Sequence, residues 1–154
     1  MDDVAREWPD LNPGEVELDD TNEWLWRQVN PSWIDEGRCT TQAFQPLSSL
    51  TFKPTPKDEG QLSTARNAKA TAEVAYEEFI AQGYQSAGSW AVVVSEVHST
   101  GLRAVDDTES DTAPDPCPTG HTYIDFRILK SRGDIKRAAS ALRDAAEVRG
   151  RCHP

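Results

Sequence analysis

Eight polar side chains spread over four stretches of this sequence have the types needed to hold an anion and move a proton: Arg27, Thr41, Gln42, Lys57, Asp58, Glu59, Ser63 and His121. Arginine and lysine beside hydroxyl and amide donors suit a phosphate or carboxylate, and together the eight outline one candidate polar pocket. His121 has the side chain best suited to act as acid or base near neutral pH. Each residue also has an ordinary structural role open to it, and that account is the simpler one. Arg27 could pair with one of many carboxylates, Thr41 and Ser63 could sit on plain strands, Lys57-Asp58-Glu59 could be a solvated turn, and His121 a half-exposed strand residue.

Other chemistries lack their spacing. His98 and His153 have no partner at i+3 or i+4, so no metal site is expected. Cys39, Cys117 and Cys152 match neither a disulfide framework nor a zinc pattern and read as reduced thiols. Cys117 lies in PDPCPTG with no nearby base, which argues against a nucleophilic role. No phosphate-binding glycine loop and no nucleophile motif occurs, and no cofactor is expected. Trp24, Trp26 and Trp33 cluster within ten positions, as a core would or as anchors for a partner protein would.

The elements that must position these residues are legible to different degrees. Asp20-Thr21-Asn22 offers capping side chains ahead of EWLWRQV, which reads as a helix ended by Pro31; the alternative is a strand with Trp24 and Trp26 on one face. RCTTQAF (38–44) and LTFK (50–53) read as short strands that Pro46, Pro54 and Pro56 confine to edges or ends. Thr71 caps a helix over 71–82, whose Ala72, Ala75, Tyr76, Phe79 and Ile80 share one face. SWAVVV (89–94) is the best candidate for a central strand. Ser95 opens a single turn closed by Gly101, before a short strand over 102–105. Residues 106–120 carry five acids and three prolines without periodicity and read as a long exposed loop. HTYIDFRI (121–128) alternates as a half-buried strand, and 131–149 forms a helix with an alanine-rich stripe from Ile135 to Ala146. The fold class expected is α+β, a single domain with a small antiparallel or mixed sheet covered by two main helices.

Charge divides the chain. The net charge is −10 over 154 residues, and eleven acids stand against Arg6 and Arg27 in the first 36. Residues 1–19 therefore read as an acidic arm, loose or draped over the surface, ahead of a domain over 20–154. From Arg127 onward eight bases stand against three acids, so the two ends could attract one another. An acidic protein repels phosphate backbones and anionic lipid, which makes nucleic acid a poor partner. No stretch has the roughly 20 apolar residues of a membrane helix, and MDDVAREW lacks signal-peptide character, so a cytoplasmic location is expected.

RQVNPSW, TTQAF, PTPKDEGQLS and HTYIDF together resemble a family of small bacterial proteins without an assigned activity. The resemblance covers most of the chain after Leu25, implies an intact bacterial domain, and supplies no reaction. In that family a histidine stands where this chain has Asn30, so an activity depending on it would be lost here. Two functions remain. One is an acidic accessory or inhibitor-type protein, immunity- or antitoxin-like, with carboxylates for steering and Trp24, Trp26 and Trp33 as anchors. The other is a small enzyme binding a nucleotide or anionic metabolite around Arg27 and His121. In its order of Arg27, a TTQAF strand, LST and Glu73 it distantly resembles ADP-ribosyltransferase domains.

Overall fold

The computed structural model describes residues 8–34 and 46–153. In chain order the elements are β1 (Val16–Glu17), β2 (Trp24–Gln28), β3 (Gln61–Arg66), α1 (Ala72–Ala81), β4 (Ser89–Val93), α2 (Val94–Ser99), β5 (Arg103–Asp106), β6 (His121–Asp125) and α3 (Arg132–Arg149). The six strands make one sheet in the order β1-β5-β6-β3-β2-β4 with every pair antiparallel, an α+β fold.

One face of the sheet carries Leu25, Leu62, Trp90, Val92, Ala104 and Ile124, each at most 1% exposed, and packs on α3 through Ala138, Ala139, Leu142 and Ala146. Small residues let the helix approach closely, as its alanine stripe predicts. The other face carries a smaller apolar cluster of Trp26, Ala65 and Ala91, over which α1 lays Ala72 and Ala75. Thr71 caps α1 by accepting from the Val74 N–H at 3.1 Å.

The segment EWLWRQV is a strand and not the helix its capping residues suggest. Strand β2 runs between two partners and pairs all five of its residues with β4. Its period-two pattern sends Leu25 into the main core and sets the Trp24 and Trp26 rings 5.7 Å apart on the opposite face. Burial on both faces outweighs one cap. The expected strand LTFK is instead a 3-10 turn over Ser49–Phe52, capped by Ser48 and burying Thr51 and Phe52. Flanking prolines remove the donors a ladder would need. The expected strand over 38–44 lies outside the described residues.

The acidic arm is anchored over residues 8–18. Strand β1 adds to the sheet edge through Val16↔Asp106 and Glu17↔Val105. Leu18 is 3% exposed and donates its N–H to the Ala104 carbonyl at 2.9 Å. The Trp8 ring lies 4.6 Å from the Arg103 guanidinium, and the Tyr123 hydroxyl donates to Glu15 at 2.8 Å. Burial and the neighbouring Glu15 carboxylate push the Tyr123 hydroxyl up to about 12. Gly14 has φ +88°, and a side chain there would collide with the Glu109 carbonyl, so the arm can seat only with glycine at this point. Because of this cover, β6 is buried on both faces over its whole length and is not the half-exposed strand that its alternation implies.

Deleting the chain through Leu18 should therefore cost about 2 to 3 kcal/mol, chiefly the burial of Leu18 and the Glu15–Tyr123 bond. A urea denaturation midpoint unchanged by that truncation would contradict the anchoring.

Candidate active site

Three adjacent strands bring the site together along one rung of the sheet. His121, the first residue of β6, sits opposite Ala65 of β3, and Ser63 opposite Tyr123. Ser63 and His121 are thus diagonal neighbours on the same face, within reach of a long side chain. The small Ala65 leaves the space between them open. On the other side of β6, β5 ends with Asp106 paired to Thr122, and one further step places Asp107 beside His121.

The resulting contacts form a relay. Asp107 Oδ1 lies 2.6 Å from His121 Nδ1, and His121 Nε2 lies 3.2 Å from Ser63 Oγ. With Nδ1–H donated to the carboxylate, the neutral imidazole presents its Nε2 lone pair to the serine hydroxyl. Asp107 and His121 are 5% and 8% exposed, whereas Ser63 faces solvent. A shielded carboxylate orienting an imidazole against an accessible hydroxyl is the arrangement that activates serine as a nucleophile.

The relay is held by its neighbours. Arg66, at the end of β3, makes a bidentate pair with Glu23 at 2.7 and 2.8 Å and bonds Asp106 at 3.0 Å, and Lys69 reaches Asp106 at 2.7 Å. Asp106 Oδ1 accepts from the Thr108 N–H and hydroxyl, which bends the chain immediately after Asp107. Gly120, with φ +69°, lets the chain pass Arg66, whose N–H donates to the Gly120 carbonyl at 2.9 Å, just before His121.

Burial alone would raise the Glu23 and Asp106 carboxyls, but the Arg66 and Lys69 side chains and the backbone N–H groups outweigh it and hold both below the usual range. Such groups stabilise the fold above the unfolded carboxylate pKa, about 4, and that stabilisation is lost as pH falls toward their folded values. The denaturation midpoint should accordingly hold from pH 7 to about 5 and fall steeply below about 4. Arg66→Met should flatten the acid limb; an unaltered limb would exclude this network as its source.

Two grooves meet at Ser63 and His121. The first, about 90 Å³ and open to solvent, lies between α1 and the sheet, with Trp26, Ala65, Ala75, Phe79 and Pro118 as apolar walls and Glu78 and Thr119 among them. The second, about 460 Å³, is polar and lined by Asn12, Lys57, Asp58, Glu59, Gln61, Asp107, Tyr123 and Arg127 among others.

Of the residues singled out in the sequence, Ser63 and His121 converge. Arg27 reaches the same place from behind: its Nε and NH1 donate to the Thr51 and Ser63 carbonyls at 2.8 and 2.9 Å, and its guanidinium stacks 5.4 Å from the Trp33 ring. Desolvation pulls Arg27 down to about 10, with Asp58 offsetting part of it. Its hydrogen bonds therefore brace the backbone under Ser63. Lys57 and Glu59 stand exposed on the polar groove, and Asp58 accepts from the Thr55 N–H. Thr41 and Gln42 lie outside the described residues.

The tryptophans are mostly spent internally. Trp26 is 8% exposed and donates to the Ala70 carbonyl at 2.9 Å, and Trp33 packs against the core. Trp24 is 37% exposed, with the Arg149 guanidinium 5.1 Å from its ring.

Asp107 was hidden in the stretch that reads as an exposed loop, yet Asp106, Asp107 and Ser110 are buried there. The one usable signal was its place at the end of the LRAVD strand, facing the start of HTYID. Burial and the carboxylates Asp107, Asp106 and Glu78 push the Cys117 thiol up, which keeps it unreactive beside the site. Among the described residues no three His, Cys, Asp or Glu side chains are placed to hold a metal ion, and no helix is long and apolar enough to cross a membrane. No protein-family model matches the sequence, and no match exists among curated proteins or solved structures.

Proposed function

We propose that the protein is a small serine hydrolase that transfers an acyl group to Ser63 and then to water. The observation that carries this reading is the Asp107–His121–Ser63 relay, with the hydroxyl alone exposed and grooves on both sides of it. His121 Nε2 takes the hydroxyl proton as Ser63 Oγ bonds to the carbonyl carbon, and returns it to the departing oxygen or nitrogen. Water then repeats the sequence and frees the acid. Asp107 keeps the imidazole in the reactive tautomer and stabilises the imidazolium formed on the way. Lys57 and Arg127 line the polar groove beside the carboxylates Asp58, Glu59 and Asp107, a mixed lining that favours a polar leaving group.

This differs from the nucleotide- or anionic-metabolite-binding enzyme expected around Arg27 and His121: His121 is kept, and Arg27 becomes a backbone brace. Chemical labelling tests it. A fluorophosphonate probe should form one covalent adduct per chain, located on Ser63 by peptide mass mapping. An adduct on another residue, or none, would overturn the assignment.

A further inference from the structure

The acyl side of the site contains a feature that water-mediated ester cleavage alone does not require. Glu78, on α1, lines the apolar groove with Ser63 and His121. Its Oε1 accepts from the Thr119 N–H and hydroxyl, both at 3.1 Å, which fixes the carboxylate in place. Its Oε2 is shielded from solvent and has no hydrogen-bond partner. A carboxylate oxygen withdrawn from water and left unpaired is costly, and the cost is offset when a ligand brings a donor to it. The groove's apolar walls, Trp26, Ala75, Phe79 and Pro118, accept an apolar group beside it.

We infer that the groove receives the aminoacyl half of an ester or amide: a free α-ammonium on Glu78, an apolar side chain against Trp26 and Phe79, and the carbonyl at Ser63. This rests on the hydrolase reading and names its substrate class. An α-amino group is two bonds from the carbonyl carbon, so one small molecule satisfies a carboxylate and a nucleophile sharing one groove. The reaction balances with water as co-reactant. Ser63 Oγ bonds to the carbonyl carbon and its proton passes through His121 to the leaving oxygen or nitrogen. Water then releases the free amino acid and restores the serine proton. The leaving half occupies the polar groove on the other side of Ser63.

The experiment compares leucine p-nitroanilide with its N-acetyl counterpart on the full chain, alongside fluorophosphonate labelling. The free amine should be cleaved with kcat/KM at least about tenfold higher, since blocking it removes a charge-assisted bond. Glu78→Gln, which keeps the shape and an acceptor for Thr119, should collapse that ratio toward one, mainly through the KM of the free-amine substrate. Glu78→Asp, retaining the charge on a shorter stem, should fall between. Equal cleavage of the two substrates, a ratio that survives Glu78→Gln, or labelling of Ser63 with neither substrate cleaved would overturn the aminoacyl assignment and leave the hydrolase reading standing. Absence of both labelling and cleavage would overturn the two together.

Discussion

Ser63→Ala should reduce turnover of an activated ester by about a thousandfold or more while leaving the fold intact. The side chain removed is small and exposed, so its loss costs stability on the order of 0.5 kcal/mol or less. His121→Ala should lose a comparable factor, because among the described residues the imidazole is the base placed to take the Ser63 Oγ proton. Asp107→Asn tests the orientation of that imidazole: an amide can donate to Nδ1, which turns the ring toward the tautomer whose Nε2 bears hydrogen, and comparable sites lose about 10⁴-fold this way. Groups that act as one unit are not additive. The Ser63→Ala, His121→Ala double variant should therefore be no slower than either single variant. Additive losses would mean that Ser63 and His121 contribute separately, and hydrolysis that persists in Ser63→Ala would remove the serine from the reaction. Steady-state rates with a circular dichroism melt for each variant decide between these outcomes.

The residues of this site were legible one at a time, and their meeting was not. Ser63 and His121 stand 58 positions apart, and what unites them is the register of β3 against β6, which no local pattern encodes. Asp107 was harder still, because a run of acids and prolines resembles solvated loop in composition whether or not its first residues are drawn into the sheet. Elements with a strong local signal were readable in type: the alanine stripe of α3, the cap of α1 and the apolar run of β4, although β4 lies at the edge of the sheet and not at its centre as expected. Where two local signals competed, tertiary contact decided. WLWRQ had a cap pointing to helix and an alternation pointing to strand, and the two partners of β2 settled the matter. Residues 8–18 join the sheet for the same reason. Their acids are poor core formers alone, but Glu15 and Glu17 meet Tyr123 and Arg103, which come from the far end of the chain.

Asp125→Ala should be the most damaging single substitution to stability, at about 3 to 5 kcal/mol. Asp125 is fully buried and accepts four bonds: Arg103 Nε at 2.9 Å, Arg127 Nε at 2.8 Å, Arg127 NH2 at 2.9 Å and the Arg127 N–H at 3.0 Å. Burial alone would raise this carboxyl, yet the two arginines and the backbone donor hold it below the usual range, so it is charged in the folded state. Removing it strands two guanidiniums beside one another. Among the described residues, Arg103, 6% exposed, would keep the Trp8 ring, the Pro9 carbonyl and a carboxylate of Glu17 at 3.7 Å. A loss of this size is a large part of the 5 to 15 kcal/mol typical of a domain, and it corresponds to a fall in melting temperature on the order of 10 °C. Asp134→Ala is the comparison: its pair with Arg137 is on the surface of α3, where such pairs contribute about 0 to 1 kcal/mol. If buried charge is the cause, Asp125→Leu combined with Arg103→Met should recover part of the loss, because it removes one stranded cation and fills the space with apolar volume. A midpoint shift for Asp125→Ala no larger than that of Asp134→Ala would show that the buried ion cluster contributes no more than a surface pair.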